Sequence, residues 1–172
     1  MSERRVIFET ERLIVRLYDL NDEGSFFLLN GDEEIVRYIR PAKSKEECNI
    51  FLIEVIKYSE ENPLAGRWAV DEKKTGKNIG MFAIIPVDNS VKWQLGYSLL
   101  KDSWGKGYST ELTREGITYF FNHFDQQQVY GLTETPNIAS QKVLIKCGFT
   151  LNEIYVNVKG GEMMEYVFKR GI

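Results

Sequence analysis

The apolar period of the chain changes at Gly107, and that change constrains the fold more than any other feature. Before it, Trp93–Leu100 reads as a strand that ends where Lys101-Asp102-Ser103 turns the chain. Trp104-Gly105-Lys106-Gly107-Tyr108 then leads into a helix, in which Leu112, Ile117, Phe120, Phe121 and Phe124 recur on one side from about Ser109 to Phe124. A strand passing through a glycine turn into a long amphipathic helix belongs to an alternating α/β chain rather than to a bundle or a sandwich.

The same reading extends along the chain. Leu13, Val15 and Leu17 alternate with Ile14, Arg16 and Tyr18 as a first strand, and Asp19 or Asn21 caps a short helix through Phe26, Phe27 and Leu29. Ser44-Lys45-Glu46-Glu47 is a capping box, followed at helical spacing by Cys48, Phe51, Leu52, Val55 and Ser59. Strands are expected at Arg67–Asp71, Ile79–Val87, Trp93–Leu100 and Val129–Thr135. Pro136 and Asn137 open a helix that stops at Gly148, and Glu153–Val158 with Met163–Lys169 reads as a closing hairpin. The resulting fold class is α/β (α+β), a mixed sheet of about seven strands with helices on both faces. The closing strand Met163–Lys169 could serve as a sheet edge. At 172 residues, with no repeat or linker, the chain suits one domain, 1–172.

Composition removes several functions. With 22 Lys+Arg against 25 Asp+Glu the formal charge is −3, and no basic run offers phosphates the clustered cations that nucleic-acid binding needs. Two cysteines 99 residues apart and one histidine cannot form a four-ligand zinc site without carboxylates, so no metal is expected. A Ser-His-Asp hydrolase would have to use His123. The start Met1-Ser2-Glu3-Arg4-Arg5-Val6 has no apolar stretch for a leader, and no apolar run approaches the roughly 18 residues of a membrane span, so a cytoplasmic protein with reduced thiols is expected.

The Gly-x-Gly segment lets the backbone approach a bulky ligand, and a helix N-terminus just beyond adds positive potential, which suits a phosphate or pyrophosphate. It is not a Walker A loop, because Gly107 follows Lys106 where Ser or Thr is required. It is not a dinucleotide fingerprint either, because Thr110 stands where the third Gly belongs. The second constellation, Asn137-x-x-Ser140 with Lys146-x-Gly148-Phe149, reads on its own as a capped amphipathic helix.

Together these motifs resemble the GNAT superfamily of acetyl-CoA-dependent N-acetyltransferases. The opening Glu9-Thr10-Glu11-Arg12-Leu13-Ile14-Val15-Arg16 resembles the branch that includes the ribosomal-protein N-terminal acetyltransferases. The resemblance runs from about Phe8 to Lys169 and implies a mostly antiparallel sheet, the acyl-CoA N-acyltransferase fold. It implies that backbone near Leu99 and Leu100 pairs with the pantetheine arm. Amides from Trp104 through Gly105, Lys106, Gly107, Tyr108 and Ser109 to Thr110 would hold the pyrophosphate, with Lys106 adding charge. Asn137 would bond the pantetheine from the far side, and Ser140 would sit near the thioester sulfur as proton donor. Three positions depart from the family pattern: Asp102 replaces a Gln or Arg, Leu144 replaces a Tyr that protonates the leaving thiolate, and Gln94 stands where Glu is common.

The implied reaction is direct attack of a neutral amine on the thioester, with the amide near Leu99 stabilising the oxyanion at a worth of about 3 kcal/mol. An alkylamine is mostly protonated at neutral pH, so a base must take its proton. Glu134 is the leading candidate, through water if necessary, against an ordinary strand-end carboxylate. Asp32 and Glu33 could attract a cationic acceptor or simply charge a helix N-terminus. His123 reads as a helix-end residue, and Trp68, Tyr97 and Tyr38 either line an acceptor groove or fill the core. The acceptor is a protein N-terminal amine, or a small polyamine, amino acid or aminoglycoside. A non-catalytic CoA-binding module is the alternative from another class. Neither nucleic acid nor membrane is expected as a partner, and the oligomeric state is a monomer or homodimer.

Overall fold

In chain order the computed structural model, which describes residues 5–171, contains β1 (Val6–Glu9), β2 (Leu13–Arg16), α1 (Glu23–Asn30), α2 (Glu33–Val36), α3 (Lys45–Glu61), β3 (Gly66–Glu72), β4 (Asn78–Pro86), β5 (Trp93–Leu99), α4 (Tyr108–His123), β6 (Gln128–Glu134), α5 (Ile138–Lys146), β7 (Thr150–Val156) and β8 (Glu162–Lys169). Met1–Arg4, part of the start read above for a leader, and Ile172 lie outside the described residues. The strands hydrogen-bond in the order β1-β2-β3-β4-β5-β6-β8-β7. Most neighbours are antiparallel; β5 and β6 run parallel, Gln94 opposite Tyr130 and Leu95 opposite Gly131, as a crossover through α4 requires. Among the described residues, no helix is long and apolar enough to cross a membrane.

Two differences from the sequence reading concern strands. The first strand, β1, has no counterpart in the sequence reading, because Val6-Ile7-Phe8 is a continuous apolar run with no alternation; it pairs with β2 through Phe8 opposite Val15. The closing strand is not an edge. β8 lies between β6 and β7, so β7 is the edge, and its outward Leu151, Ile154 and Val156 are exposed.

The chain divides into two compact units. One holds the described residues up to Ala83 together with Tyr97–Tyr108; the other holds Ile84–Gly96 and the described residues from Ser109 onward. In the first unit, Ser44 caps α3 as a capping box, its hydroxyl accepting from the Glu47 amide while Glu47 accepts from the Ser44 amide. Helices α1 and α3 bury Phe26, Leu29, Cys48, Leu52 and Val55 with Tyr18, Ala69 and Met81, and Phe51, Ile35 and Leu100 pack against this core. Period-two alternation sends Trp68 and Phe82 to the other face of β3 and β4, where Phe8 meets Phe82 edge-on at 5.5 Å. Beside the first core Arg16 lies buried with its five N–H donors all used, bonding Asp22, Asp71 and the Leu17 carbonyl.

In the second unit, α4 buries Leu112, Ile117 and Phe120, and Phe124 stacks on Phe120 at 4.7 Å and meets Trp93 at 4.8 Å. Helix α5 lies on β6 so closely that a Cβ on Gly131 would come within 2.5 Å of the Leu144 side chain, which would have to shift to admit it. Gly148, at φ +93, ends α5 in the left-handed conformation expected of a helix-terminating glycine.

Candidate active site

The segment after β5 is shaped by backbone conformation rather than by packing. A 3-10 turn at Lys101–Ser103 is closed by the Ser103 amide on the Leu100 carbonyl (2.9 Å) and the Trp104 amide on the Lys101 carbonyl (3.0 Å). Gly105 (φ +72) and Gly107 (φ +82) then adopt left-handed backbone on either side of Lys106, which side-chain-bearing residues rarely tolerate. A Cβ at Gly105 would meet nothing within 4 Å, and one at Gly107 would meet only Arg12 Nη2, at 3.6 Å, so the space beside both glycines is open. Helix α4 starts immediately afterwards, at Tyr108, and first-turn N–H groups have no acceptor within their own helix. Open backbone, orphan donors, the positive helix end and the exposed Lys106 together fit an anionic ligand such as a pyrophosphate.

Long-range contacts fix this loop. Arg12, just before β2, donates from Nη1 to the Lys106 carbonyl (3.0 Å) and lies 4.4 Å over the Tyr108 ring. The Tyr108 hydroxyl donates to Glu72 Oε1 (2.5 Å), and Thr75 donates to the other Glu72 oxygen (2.8 Å). These two hydroxyls, with the nearby Lys106 and Lys74 charges, hold the Glu72 carboxyl below its ordinary range. On the opposite side of the turn, the Trp104 indole N–H donates to the Leu99 carbonyl at 2.8 Å.

In the second unit, β6 ends at Glu134 and a tight turn, the Asn137 amide on the Glu134 carbonyl (2.9 Å), sends the chain into α5. Asn137 caps α5, its Oδ1 accepting from the Ser140 amide at 3.2 Å. Capping uses only the side-chain oxygen and leaves the two amide N–H donors for another acceptor. Glu134 is half-buried and alternates with buried Thr133 and Gly131, so it projects from the face of β6 opposite the one on which Leu144 packs.

A family model described as an acetyltransferase (GNAT) domain matches residues 12–150. The chain belongs to the GNAT acetyltransferases. It is 24% identical over 168 residues to the uncharacterized N-acetyltransferase YoaA of Bacillus subtilis, covering 96% of this chain and 90% of that protein. Its fold matches a GNAT-family acetyltransferase from Bacillus anthracis with a TM-score of 0.83 at 16% identity, over 94% of this chain and 96% of the other. It also matches RimL, a ribosomal L7/L12 alpha-N-protein acetyltransferase, with a TM-score of 0.79 at 18% identity, over 97% and 95%. The mixed, mostly antiparallel sheet is thus the acyl-CoA N-acyltransferase fold, and the protein is an acetyl-CoA-dependent acetyltransferase.

The structure gives several of the residues considered above partners or positions within the protein itself. The Leu100 backbone is used inside the protein, its N–H on the Ile79 carbonyl (2.8 Å) and its carbonyl on the Ser103 amide, so it has no N–H to offer a pantetheine arm. The Leu99 carbonyl already accepts the Trp104 indole. Leu144, at the position where many GNAT proteins have Tyr, is a buried packing residue against Gly131. Asp32 accepts the α2 amides of Glu34 and Ile35 and pairs with Lys101 (2.9 Å), which also holds Glu34 (2.8 Å); Lys101 is the main reason the Asp32 carboxyl titrates below its ordinary range. Trp68 is fully buried and belongs to the core, and His123 is exposed at the end of α4, stacked on Tyr119 with Nδ1 2.8 Å from the Tyr119 carbonyl. Cys48 and Cys147 are free and buried, and burial pushes both thiols up.

Sequence reasoning missed Arg12, Glu72 and the Trp104 indole as residues that shape the loop. Arg12 stands 94 residues from its partner Lys106, beyond the reach of any periodicity.

Proposed function

We propose that the chain acts as one N-acetyltransferase domain that passes an acetyl group to a primary amine by direct attack in a ternary complex, with a protein N-terminal amine as acceptor. The observation that carries this reading is the loop: two left-handed glycines with open space beside them, running into the start of α4, in a chain of the GNAT family. In this reading the amides of Trp104, Gly105, Lys106, Gly107, Tyr108, Ser109 and Thr110 hold the pyrophosphate of acetyl-CoA. The Leu99 amide and the N–H donors of Asn137 serve its thioester arm; Leu100 contributes packing rather than pairing. Bound acetyl-CoA supplies an activated acetyl thioester. Glu134 accepts the amine proton at its carboxylate, through water, and the Ser140 hydroxyl passes its proton to the leaving sulfur while taking one from solvent water in its place. Holding amine and thioester together provides much of the rate.

The test is release of free thiol from acetyl-CoA over a panel of peptides and small amines. Acceptor-dependent release is expected. Tight CoA binding with no release for any amine would replace the transferase with a binding module. In the same assay Glu134→Gln should remove the acidic limb of the kcat/KM profile, and an unaltered limb would take the base elsewhere.

A further inference from the structure

Three cations of the first unit converge on one aromatic ring. Arg40, after α2, places its guanidinium carbon 5.1 Å from the centroid of Phe51 on α3; Lys43 places its ammonium at 5.4 Å and Arg67, on β3, its guanidinium at 5.7 Å. Any two of them are therefore at most about 11 Å apart, of the order of the screening length in physiological salt, so their charges repel.

The cluster is built rather than incidental. Asn30 is fully buried, anchors its own amide on the Phe26 carbonyl (2.8 Å), takes Arg40 Nη2 on its side-chain oxygen, and takes the Lys43 amide on its backbone carbonyl (3.0 Å). Arg40 Nε is buried with no hydrogen-bond partner. The guanidinium is held down to about 10, first by burial and then by the Arg67 charge, and no carboxylate is among the groups acting on it. Four acidic residues on or beside the neighbouring helices have other partners: Glu47 accepts the Ser44 amide (2.7 Å), Glu23 accepts Asn49 (3.0 Å), and Asp32 and Glu34 hold Lys101. A half-buried arginine with two further cations beside it, all gathered on one ring, has the chemistry of a site for an oxyanion, since guanidinium presents its donors in a planar fork that matches carboxylate and phosphate.

We propose that Arg40, Lys43 and Arg67, gathered around Phe51, recognise a carboxylate or phosphate on the acyl acceptor. Phe51 packs against the same apolar core as Leu100, at the end of the strand that leads into the cofactor loop. The anion site thus lies on the core that also carries the strand end feeding the glycine loop, and its assignment to the acceptor rests on the proposed transferase reading. It favours an amine that bears an acidic group, such as an amino acid or a peptide N-terminus beside acidic side chains, over a polyamine or aminoglycoside.

Two measurements test this separately from catalysis. Inorganic phosphate titrated into the apoprotein, followed by thermal shift and by NMR, should bind, and Arg40→Gln should weaken it about tenfold while Lys43→Gln, which removes a point charge rather than a planar fork, weakens it about threefold. Phosphate binding that survives both changes but disappears in Gly107→Trp would move the anion to the glycine loop and overturn the proposal. In thiol release, paired acceptors (an amino acid against its amide, O-phosphoethanolamine against ethanolamine) should favour the anionic member of each pair. Lys43→Gln should raise its KM without altering the KM for acetyl-CoA. The carboxylate and phosphate pairs then tell which oxyanion is used. Equal use of both members of every pair, in an enzyme that does release thiol, overturns the anion site and leaves the transferase standing. Phosphate binding at the cluster with no thiol release for any amine does the reverse.

Discussion

Two arginines of the first unit are both withdrawn from solvent, and they are treated in opposite ways. Arg16 uses every N–H it has, four of them on the carboxylates of Asp22 and Asp71. Burial alone would lower its affinity for a proton, yet the two carboxylates more than offset this and push it above its ordinary value. Arg40 has one hydrogen bond, to Asn30, an aromatic ring and two cationic neighbours, and it is pushed down. A buried cation whose donors are saturated by anions of the same chain is complete and serves the fold. One with an unmet buried Nε and neighbours that repel it is left incomplete by its own chain, and the proposed oxyanion would complete it.

The contrast can be broken by substitution. Arg16→Met leaves two buried carboxylates without their cation and should cost about 3–5 kcal/mol in urea unfolding; a cost below about 1 kcal/mol would show that the network does not support the fold. Next in size is the cofactor loop. Acetyl-CoA at a hundredfold excess over its Kd should stabilise the wild type by about 2.7 kcal/mol, and Gly107→Trp should abolish that rise in melting temperature. An unchanged rise would remove the loop from cofactor binding. Arg40→Gln should change stability by less than about 1 kcal/mol in either direction, because the lost ring contact and hydrogen bond are balanced by relief of repulsion; a loss as large as that of Arg16→Met would make Arg40 a structural residue too. The smallest effect is expected for Tyr108→Phe. Its partner Glu72 is held below the ordinary carboxylate value of 4.5, so the stabilisation is present above that value and is lost as the pH falls through the folded-state value. The difference in melting temperature between wild type and Tyr108→Phe should therefore be seen at neutral pH and vanish in acid; a difference that persists in acid would assign it to the ring contacts instead.

How much of this was legible follows from range. Local signals were read correctly where one turn of chain decides them: the Ser44 capping box, the left-handed Gly148, the change of period at Gly107 and the Asn137 cap each depend on neighbours within a few residues. The glycine turn between β5 and α4 was legible for the same reason. What failed was pairing across the chain. Nothing local says that Arg12 reaches Lys106, that Leu100 gives its amide to Ile79, or that Lys101 pairs with Asp32 and Glu34. Strand order was equally hidden: the hairpin of β7 and β8 was legible, but which strand lies outermost is fixed by β8 pairing with β6.

The bond from the Trp104 indole to the Leu99 carbonyl has an optical consequence. Trp68 is sealed in the core, whereas Trp104 is 46% exposed and sits on the loop itself. Acrylamide therefore has a ready path to Trp104 and none to Trp68. Any ligand that takes the Leu99 carbonyl or reshapes the turn must alter the indole's hydrogen bond and so its emission. The protein carries an intrinsic fluorophore at its proposed cofactor loop, and occupancy of that loop can be followed in real time with no label and no acceptor present.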